Sequence, residues 1–232
     1  MTAPDLSQFD VLSFDCYGTI VDWETSMLGA LQPILRAHDV HVVDHFLLRC
    51  VAMHEPELQS QGGRYRDVLE GVLRRIGERL AFVPSKAETA RFVQSIAESP
   101  PFADSCEALK RLSRRFSLAV LSNTDADLFE VTEQSLGVDF AARVLAGDVG
   151  AYKPDLRMFQ ALRDALPKGA RILHVAQSRF HDIVPASSLG WPTVWIDRSA
   201  GRADAVKPVQ AQPTWTLSSL EALASAILGA KD

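Results

Sequence analysis

Asp15 closes a short apolar run, Val11 to Phe14 (VLSF), and is followed by Cys-Tyr-Gly-Thr. A carboxylate in that setting can act as a nucleophile, ligate a metal or cap a helix. Gly18 permits a close backbone approach, and the Thr19 hydroxyl is able to orient a carboxylate. Two further apolar runs end in polar residues: Leu118 to Leu121 in Ser122-Asn123, and Ile172 to Ala176 in Gln177-Ser178. Ligands of open α/β sheets bind beyond the carboxyl ends of the strands. If these runs are strands of one sheet, Asp15, Ser122, Asn123, Gln177 and Ser178 meet in one place, with Lys153 and Asp182 on adjoining loops.

The elements that must hold these residues alternate. Besides the three runs, Thr193 to Ile196 (TVWI) ends in Asp197, and short β-rich segments of this kind suit a parallel sheet buried on both faces. Helices are expected between them. Asp104 with Glu107 reads as an N-cap with an acid three residues on, opening a helix to about Arg115. A helix from Asp125 to Leu136 stops at Gly137. Pro154 suits the first position of a helix carrying Met158, Phe159 and Leu162. Ser218 with Glu221 forms a capping box before the last helix. Residues 20–99 carry only helical patterns, at Ser26 to Ala37, Val43 to Met53 and Tyr65 to Leu80, and after a Ser85/Glu88 capping box to about Glu98. Pro100-Pro101 then returns the chain to the alternating part. The expectation is a doubly wound, Rossmann-like α/β parallel sheet formed by residues 1–19 and 100–232, with a helical cap inserted at 20–99.

Composition agrees with a folded chain of this size. The 232 residues are 47% hydrophobic and 23% charged, which is globular and excludes low-complexity spacers. A net charge of −5 is the wrong sign for nucleic-acid backbone binding. No apolar run reaches the ~18–20 residues of a membrane helix, and the first ten residues, MTAPDLSQFD, lack the basic and apolar regions of a signal peptide. Cys16, Cys50 and Cys106 are odd in number without metal-like spacing, pointing to a reducing, cytoplasmic setting.

The candidate residues also carry a resemblance. FDCYGTIVD (Phe14 to Asp22) resembles the first motif of the haloacid dehalogenase superfamily, LSNTD (Leu121 to Asp125) the second, AYKPD (Ala151 to Asp155) the lysine motif and HVAQSRFHD (His174 to Asp182) the fourth. The superfamily includes phosphatases and dehalogenases. Phosphatase members carry an acid two positions after the nucleophile; here that residue is Tyr17, and a phenol of pKa about 10 is a poor proton donor at neutral pH. A halide leaves without protonation. Where phosphatases place an acid after the fourth strand, this chain has Gln177, and a neutral amide weakens a Mg²⁺ site.

The pattern therefore resembles the (S)-2-haloacid dehalogenase branch. The resemblance implies a metal-independent hydrolase without cofactor, acting on a small haloacid through an aspartyl ester on Asp15. It implies that Lys153 holds Asp15 ionised and helps bind charge, that Asp182 helps activate water, and that Thr19 and Ser122 orient carboxylates. Arg49, Asn123, Tyr17 and Ser178 would face the substrate or halide. Three positions depart from the branch: Gln177 and Arg179, in Gln177-Ser178-Arg179, replace the Ser and Asn of Ser-x-Asn, and Phe159 replaces a tyrosine. A Mg²⁺-dependent phosphatase or a non-catalytic anion-binding relative remain the alternatives.

Other features suggest plainer roles. His38, His41 and His45 recur at helical spacing but suit a solvated face better than a metal site. GGRYR (Gly62 to Arg66) reads as an inter-helix turn, without the lysine and Ser/Thr of a phosphate-binding loop. Ser122 lacks the G-x-S-x-G setting of a serine hydrolase. Cys16 is expected in the core, and Trp23, Phe46 and Met53 are candidates for a pocket wall. An exposed apolar cap face would favour a homodimer.

Overall fold

A computed structural model of the chain describes residues 8–198, 205 and 207–229. Residues 1–7, most of the N-terminal stretch MTAPDLSQFD, lie outside them.

Six strands, β1 (Val11–Phe14), β2 (Ser117–Ser122), β3 (Ala142–Leu145), β4 (Ile172–Ala176), β5 (Thr193–Ile196) and β6 (Trp215–Leu217), form one sheet in the order β3-β2-β1-β4-β5-β6. Every pairing is parallel. The sheet is buried on both faces, as the near-continuous apolar strands require. Leu12, Phe14, Leu118, Val120, Leu173 and Val175 face α5 (Ser105–Ser113) and α10 (Leu220–Leu228). On the opposite face Ala119, Leu121 and Ile172 pack with Met158, Phe159 and Leu162 of α8 (Leu156–Ala165). Connections run both ways from β1, so the strand order reverses between β1 and β4, where a doubly wound sheet places its ligand crevice.

Between β1 and α5 the chain forms α1 (Trp23–Ala37), α2 (Asp44–Gln59), α3 (Tyr65–Leu80) and α4 (Lys86–Ala97). These helices bury Met27, Leu31, Leu47, Val72, Ile76 and Phe92 among themselves. The segment is approached and left side by side: Val21 bridges Pro101 in antiparallel fashion, and Asp22 N donates to Pro100 O at 2.9 Å. The Ser85/Glu88 capping box forms as expected, while α1 begins earlier, at an Asp22 cap, and α2 runs six residues beyond Met53 to Gln59. No described helix is long and apolar enough to cross a membrane.

The expected cap Asp104 serves another helix. Asp104 precedes α5 but makes no side-chain cap there. Its Oδ2 accepts from the Leu220 and Glu221 amides at the start of α10, and its Oδ1 from Arg198 at 2.7 Å. Asp125 likewise leaves α6 (Ala126–Gln134) uncapped; its two carboxylate oxygens accept from the Tyr65 and Arg66 amides, 3.1 Å each, at the start of α3. Gly147, in the short α7 (Ala146–Val149), makes room for this, because a Cβ there would lie 2.8 Å from Asp125 Oδ1. A carboxylate favours whichever helix N-terminus offers free N–H groups, wherever that helix stands in sequence. The cap of α10 is Ser219, not Ser218, and Glu221 pairs with Arg111. Pro154 follows a cis peptide bond, and α8 starts two residues later behind an Asp155 cap.

Burial would raise Asp104, but the hydrogen bond and charge of Arg198 and the two α10 amides outweigh it and hold the carboxyl below the ordinary carboxylate range. A lowered native pKa stabilises the fold above the unfolded value, and this is lost as pH falls through the native one. Asp104→Ala is expected to cost about 1–2 kcal/mol in urea denaturation at neutral pH. Glu107→Ala, exposed and outside any capping box, should stay within ~0.5 kcal/mol of the parent; equal losses at both positions would restore the local cap.

Candidate active site

The turn after β1 aims Asp15 across the strand ends. Asp15 N donates to Val175 O at 3.0 Å, keeping the backbone in register with β4 for one residue beyond the strand. The chain then folds tightly: Thr19, Ile20 and Val21 amides all point at Cys16 O, and Gly18, at φ +91°, occupies a conformation that favours glycine. This brings Thr19 back beneath Asp15. The Thr19 hydroxyl donates to Asp15 Oδ2 at 2.8 Å and accepts from Gln177 N at 2.8 Å.

The Lys153 ammonium lies at the centre. It donates to Asp15 Oδ1 at 2.7 Å, to Asp182 Oδ1 at 2.8 Å and to the Leu121 carbonyl at 2.8 Å. An ammonium has three protons, so all are committed. The expected share of Lys153 in binding substrate charge is therefore not available; it neutralises carboxylates. Its backbone is fixed by Asn123, which accepts from Lys153 N at 2.7 Å and donates to Lys153 O at 3.0 Å.

Asp182 is anchored from behind. His174 Nε2 lies 2.9 Å from Asp182 Oδ1, and Ser13 Oγ lies 2.7 Å from His174 Nδ1 on the neighbouring strand. An ionised carboxylate only accepts, so Nε2 carries a proton and donates to Asp182. Phe159 packs edge-on against this imidazole, so the residue without the family hydroxyl walls the back of the site. Burial would raise Asp182, but Lys153 and His174 outweigh it and hold the carboxyl below its ordinary range. For Asp15 burial dominates: its pKa is raised, with Asp182 adding to the rise and Lys153 and Thr19 opposing it.

A cavity of about 40 Å³ stands over these groups, lined by Asp15, Tyr17, Ser122, Asn123, Ser178 and Asp182 among others. Ser122 Oγ and Asp182 Oδ2 are buried without a hydrogen-bond partner. Orphaned polar atoms lining one cavity mark a place for a bound molecule. Tyr17 contributes its ring, while its hydroxyl lies 2.8 Å from Thr132 Oγ1, which itself donates to Ala97 O; the Tyr17 proton thus goes to Thr132. Burial raises the Tyr17 phenol further, so it is no proton donor to a leaving group. Ser178 Oγ accepts from His181 N at 3.0 Å and caps the π-helical turn Arg179–Ile183 that carries Asp182.

Arg49 does not reach this cavity. It is exposed on α2 and lines a neighbouring open groove of about 1320 Å³ together with Phe46, Met53, Arg79, Arg157 and Lys207. Lys153 and Gln59 border both spaces. Of the expected pocket walls, Trp23 lines the cavity and Phe46 and Met53 the groove. Arg179 lies over the Trp195 ring, 3.7 Å from its centroid. His38 stacks on Phe82 and meets Glu88, and Arg64 and Arg66 of the GGRYR turn pair with Asp127. Among the described residues no cluster of His, Cys, Asp or Glu is arranged to hold a metal.

The structure adds cavity residues that sequence patterns miss, among them Glu55, Gln59, Tyr65 and His181. Glu55 and Gln59 occupy the last turns of α2, past Met53, where Pro56 interrupts the helical signal. His181 is adjacent in sequence to Asp182 with its orphaned oxygen, its own Nε2 lacks a partner, and burial lowers its pKa to about 4, leaving it neutral.

The lysine-clamped aspartate thus stands at the strand switch of a doubly wound α/β fold. The chain belongs to the haloacid dehalogenase-like hydrolase family, whose family model matches residues 9–184. It is 26% identical over 227 residues to an (S)-2-haloacid dehalogenase of Pseudomonas fluorescens, covering 94% of this chain and 96% of the relative. A second (S)-2-haloacid dehalogenase, from Pseudomonas sp. (strain YL), is 26% identical over 220 residues and 91% of each chain. The solved L-2-haloacid dehalogenase from Xanthobacter autotrophicus has the same fold, with a TM-score of 0.81, 17% identity, and coverage of 97% of this chain and 100% of that one.

Without Lys153, Asp15 and Asp182 would face each other buried and uncompensated. Lys153→Met is expected to lose about 3–5 kcal/mol of stability at neutral pH. The cation's removal raises both carboxyl pKa values, so the native state gains protons and the deficit shrinks towards pH 5. Urea denaturation at the two pH values measures this; a deficit independent of pH would contradict the clamp.

Proposed function

We propose that this chain hydrolyses the carbon–halogen bond of short-chain (S)-2-haloacids, with residues 20–99 as a cap over a core made of 1–19 and 100–232. The observation that carries the proposal is Asp15: a nucleophile clamped by Lys153 and Thr19 and followed two residues on by Tyr17, whose buried phenol cannot protonate a leaving group where related phosphatases carry an acid. The likeness to (S)-2-haloacid dehalogenases over nearly the whole chain supports the same chemistry.

One Asp15 oxygen attacks the halogen-bearing carbon from the side opposite the halogen. The carbon–oxygen bond forms as the carbon–halogen pair leaves with the halide, inverting the centre and giving an ester. Water then attacks the aspartyl carbonyl carbon, its proton passing to Asp182 Oδ2, the oxygen free of Lys153 and His174. The ester C–O bond breaks as Asp182 passes that proton to the departing alkoxide oxygen of the 2-hydroxy acid, and Asp15 regains its carboxylate by losing the second proton of the water. Halide and one proton are the net by-products. Ser122 Oγ supplies a hydroxyl for the bound anion or the halide. Gln177 and Tyr17 stand where related phosphatases carry acids, which favours a reaction without an obligatory metal.

The small cavity suits a small substrate. Its ~40 Å³ holds only a few water molecules. The groove outside it carries Arg49, Arg79, Arg157 and Lys207 against Glu57 and Asp155, a positive excess suited to drawing in an anion. Arg49 is thus placed at the mouth.

Chloride release from (S)-2-chloropropionate that is unchanged by EDTA is the expected result. Phosphate release from an ester requiring Mg²⁺, with no chloride release, would overturn the proposal. Asp15→Asn should abolish turnover, and single turnover in ¹⁸O-water should label Asp15 rather than pass the label straight into product. Arg49→Ala should raise KM several-fold at low salt with kcat unchanged, the difference fading as salt is added. A lost kcat would return Arg49 to the reaction centre.

A further inference from the structure

Among the described residues, Glu55 is the one cavity carboxyl that the proposed hydrolysis does not use. It is buried in the cavity wall, on α2, facing the space that Asp15 and Asp182 line from the core. Its Oε1 accepts from the Tyr65 hydroxyl at 2.7 Å and from Gln59 Nε2 at 3.3 Å. The Gln59 amide is oriented in turn by Asn123 Nδ2, 3.4 Å from its Oε1. With both donors on Oε1, the proton of a neutral Glu55 belongs on Oε2, which receives no donor among the described residues.

The charges of the cavity give that proton a purpose. Asp15 and Asp182 bring two negative charges and Lys153 one positive, with all three Lys153 protons already committed. His181 is neutral, and the other polar lining groups are uncharged. An anionic substrate must therefore be held by neutral donors, and an ionised Glu55 would repel it. A carboxylic acid donating to a carboxylate is a short, charge-assisted hydrogen bond.

We propose that Glu55 is a substrate-selecting residue: protonated, it donates from Oε2 to the carboxylate of the small anion held against Asp15, and ionised, it excludes that anion. The substrate class rests on the proposed haloacid chemistry; the binding of a carboxylate does not. Burial pushes Glu55 up to about 7, with the Tyr65 hydrogen bond opposing and the Asp15 charge adding to the rise. The titratable and charged groups around it are Tyr65 on α3, Asp15 and Tyr17 after β1, Tyr152 and Lys153 before α8, His181 and Asp182 after β4, and His54 and Glu57 on α2 itself. Tyr17, Tyr65, Tyr152 and Lys153 are raised and His181 is lowered, so none of these changes charge between pH 6 and 9.

The test compares wild type with Glu55→Gln, which keeps a neutral donor of the same shape. For chloride release from (S)-2-chloropropionate, both should share an acid limb, since Asp15 must be ionised. Only wild type should fall above pH 7, by about tenfold in kcat/KM per pH unit. The titration of any other group would appear in both proteins and cancel in the comparison. Tyr65→Phe removes a bond that favours the carboxylate, so its alkaline limb should move to higher pH. Propionate binding by calorimetry reads the same effect without turnover: wild type should weaken about tenfold per unit above pH 7 while Glu55→Gln stays constant.

A flat wild-type profile from pH 6 to 9, an alkaline limb retained in Glu55→Gln, or no propionate binding at pH 6 would each overturn the role of Glu55. Should Glu55→Gln fail to fold, the wild-type and Tyr65→Phe profiles decide alone. No turnover of any haloacid, with pH-dependent propionate binding intact, would remove the haloacid reading and leave Glu55 as the anion selector.

Discussion

One buried ammonium organises the catalytic end of this molecule. Lys153 sits between Asp15, Asp182 and the Leu121 carbonyl, all within 2.8 Å, and is itself almost wholly buried. Burying three ionised groups is costly unless each is met by an opposite charge and full hydrogen bonding. Most of the surrounding polar architecture meets that requirement. Thr19 takes the second Asp15 oxygen, His174 and Ser13 hold Asp182 from inside the sheet, and Asn123 fixes the backbone that delivers the lysine. Among the described residues, the oxygen of this cluster left without a partner is Asp182 Oδ2, beside the cavity in which the proposed hydrolysis would use it.

The same clamp divides labour between two similar carboxylates. Asp182 receives Lys153 and His174 on a single oxygen and is held ionised. Asp15 shares the lysine but is dominated by burial, which raises its pKa. A carboxylate destabilised by burial is a stronger nucleophile and base than a well-solvated one, whereas one stabilised as an anion is a weaker base that stays ionised beside the lysine. Position in the sheet creates the difference: Asp15 ends the central strand, whereas Asp182 rides a π-helical turn capped by Ser178 and set against the buried His174.

Much of this is legible in the chain. Apolar runs of four or five residues ending in polar ones mark β1, β2, β4 and β5, because a strand buried on both faces keeps few polar side chains away from its end, and those it keeps, such as Ser13 and His174, bond to one another. Asp15, Ser122, Asn123, Lys153 and Asp182 converge as the strand ends imply. The strands β3 and β6 escape notice because they lie at the sheet's two edges and mix exposed polar with apolar residues. Arg49 stands away from the reaction centre because a motif match within a helix fixes neither the helix's tilt nor the residue's distance from the strand ends. Glu55, Gln59 and His181 escape sequence patterns because their role depends on what stands across the cavity, and no local pattern records that. Asp104 misleads as a cap for a related reason: sequence shows the nearest helix, while a carboxylate goes to the N-terminus that lies nearest in space.

Asp125 carries such an arrangement across the two parts of the molecule. It belongs to the core side of the chain, just ahead of α6, yet it closes the first turn of α3 in the inserted helices. The N-terminus of α3 consequently has no cap of its own, and Arg64, the residue before it, supplies none. The proposed cap and core therefore share a helix start that neither supplies alone. A helical segment moved onto another α/β scaffold would keep its apolar interior but start α3 with bare amides, unless the new host carried a carboxylate at the same point in space. Exchange of such segments between related proteins is restricted by this single side chain before any question of substrate arises.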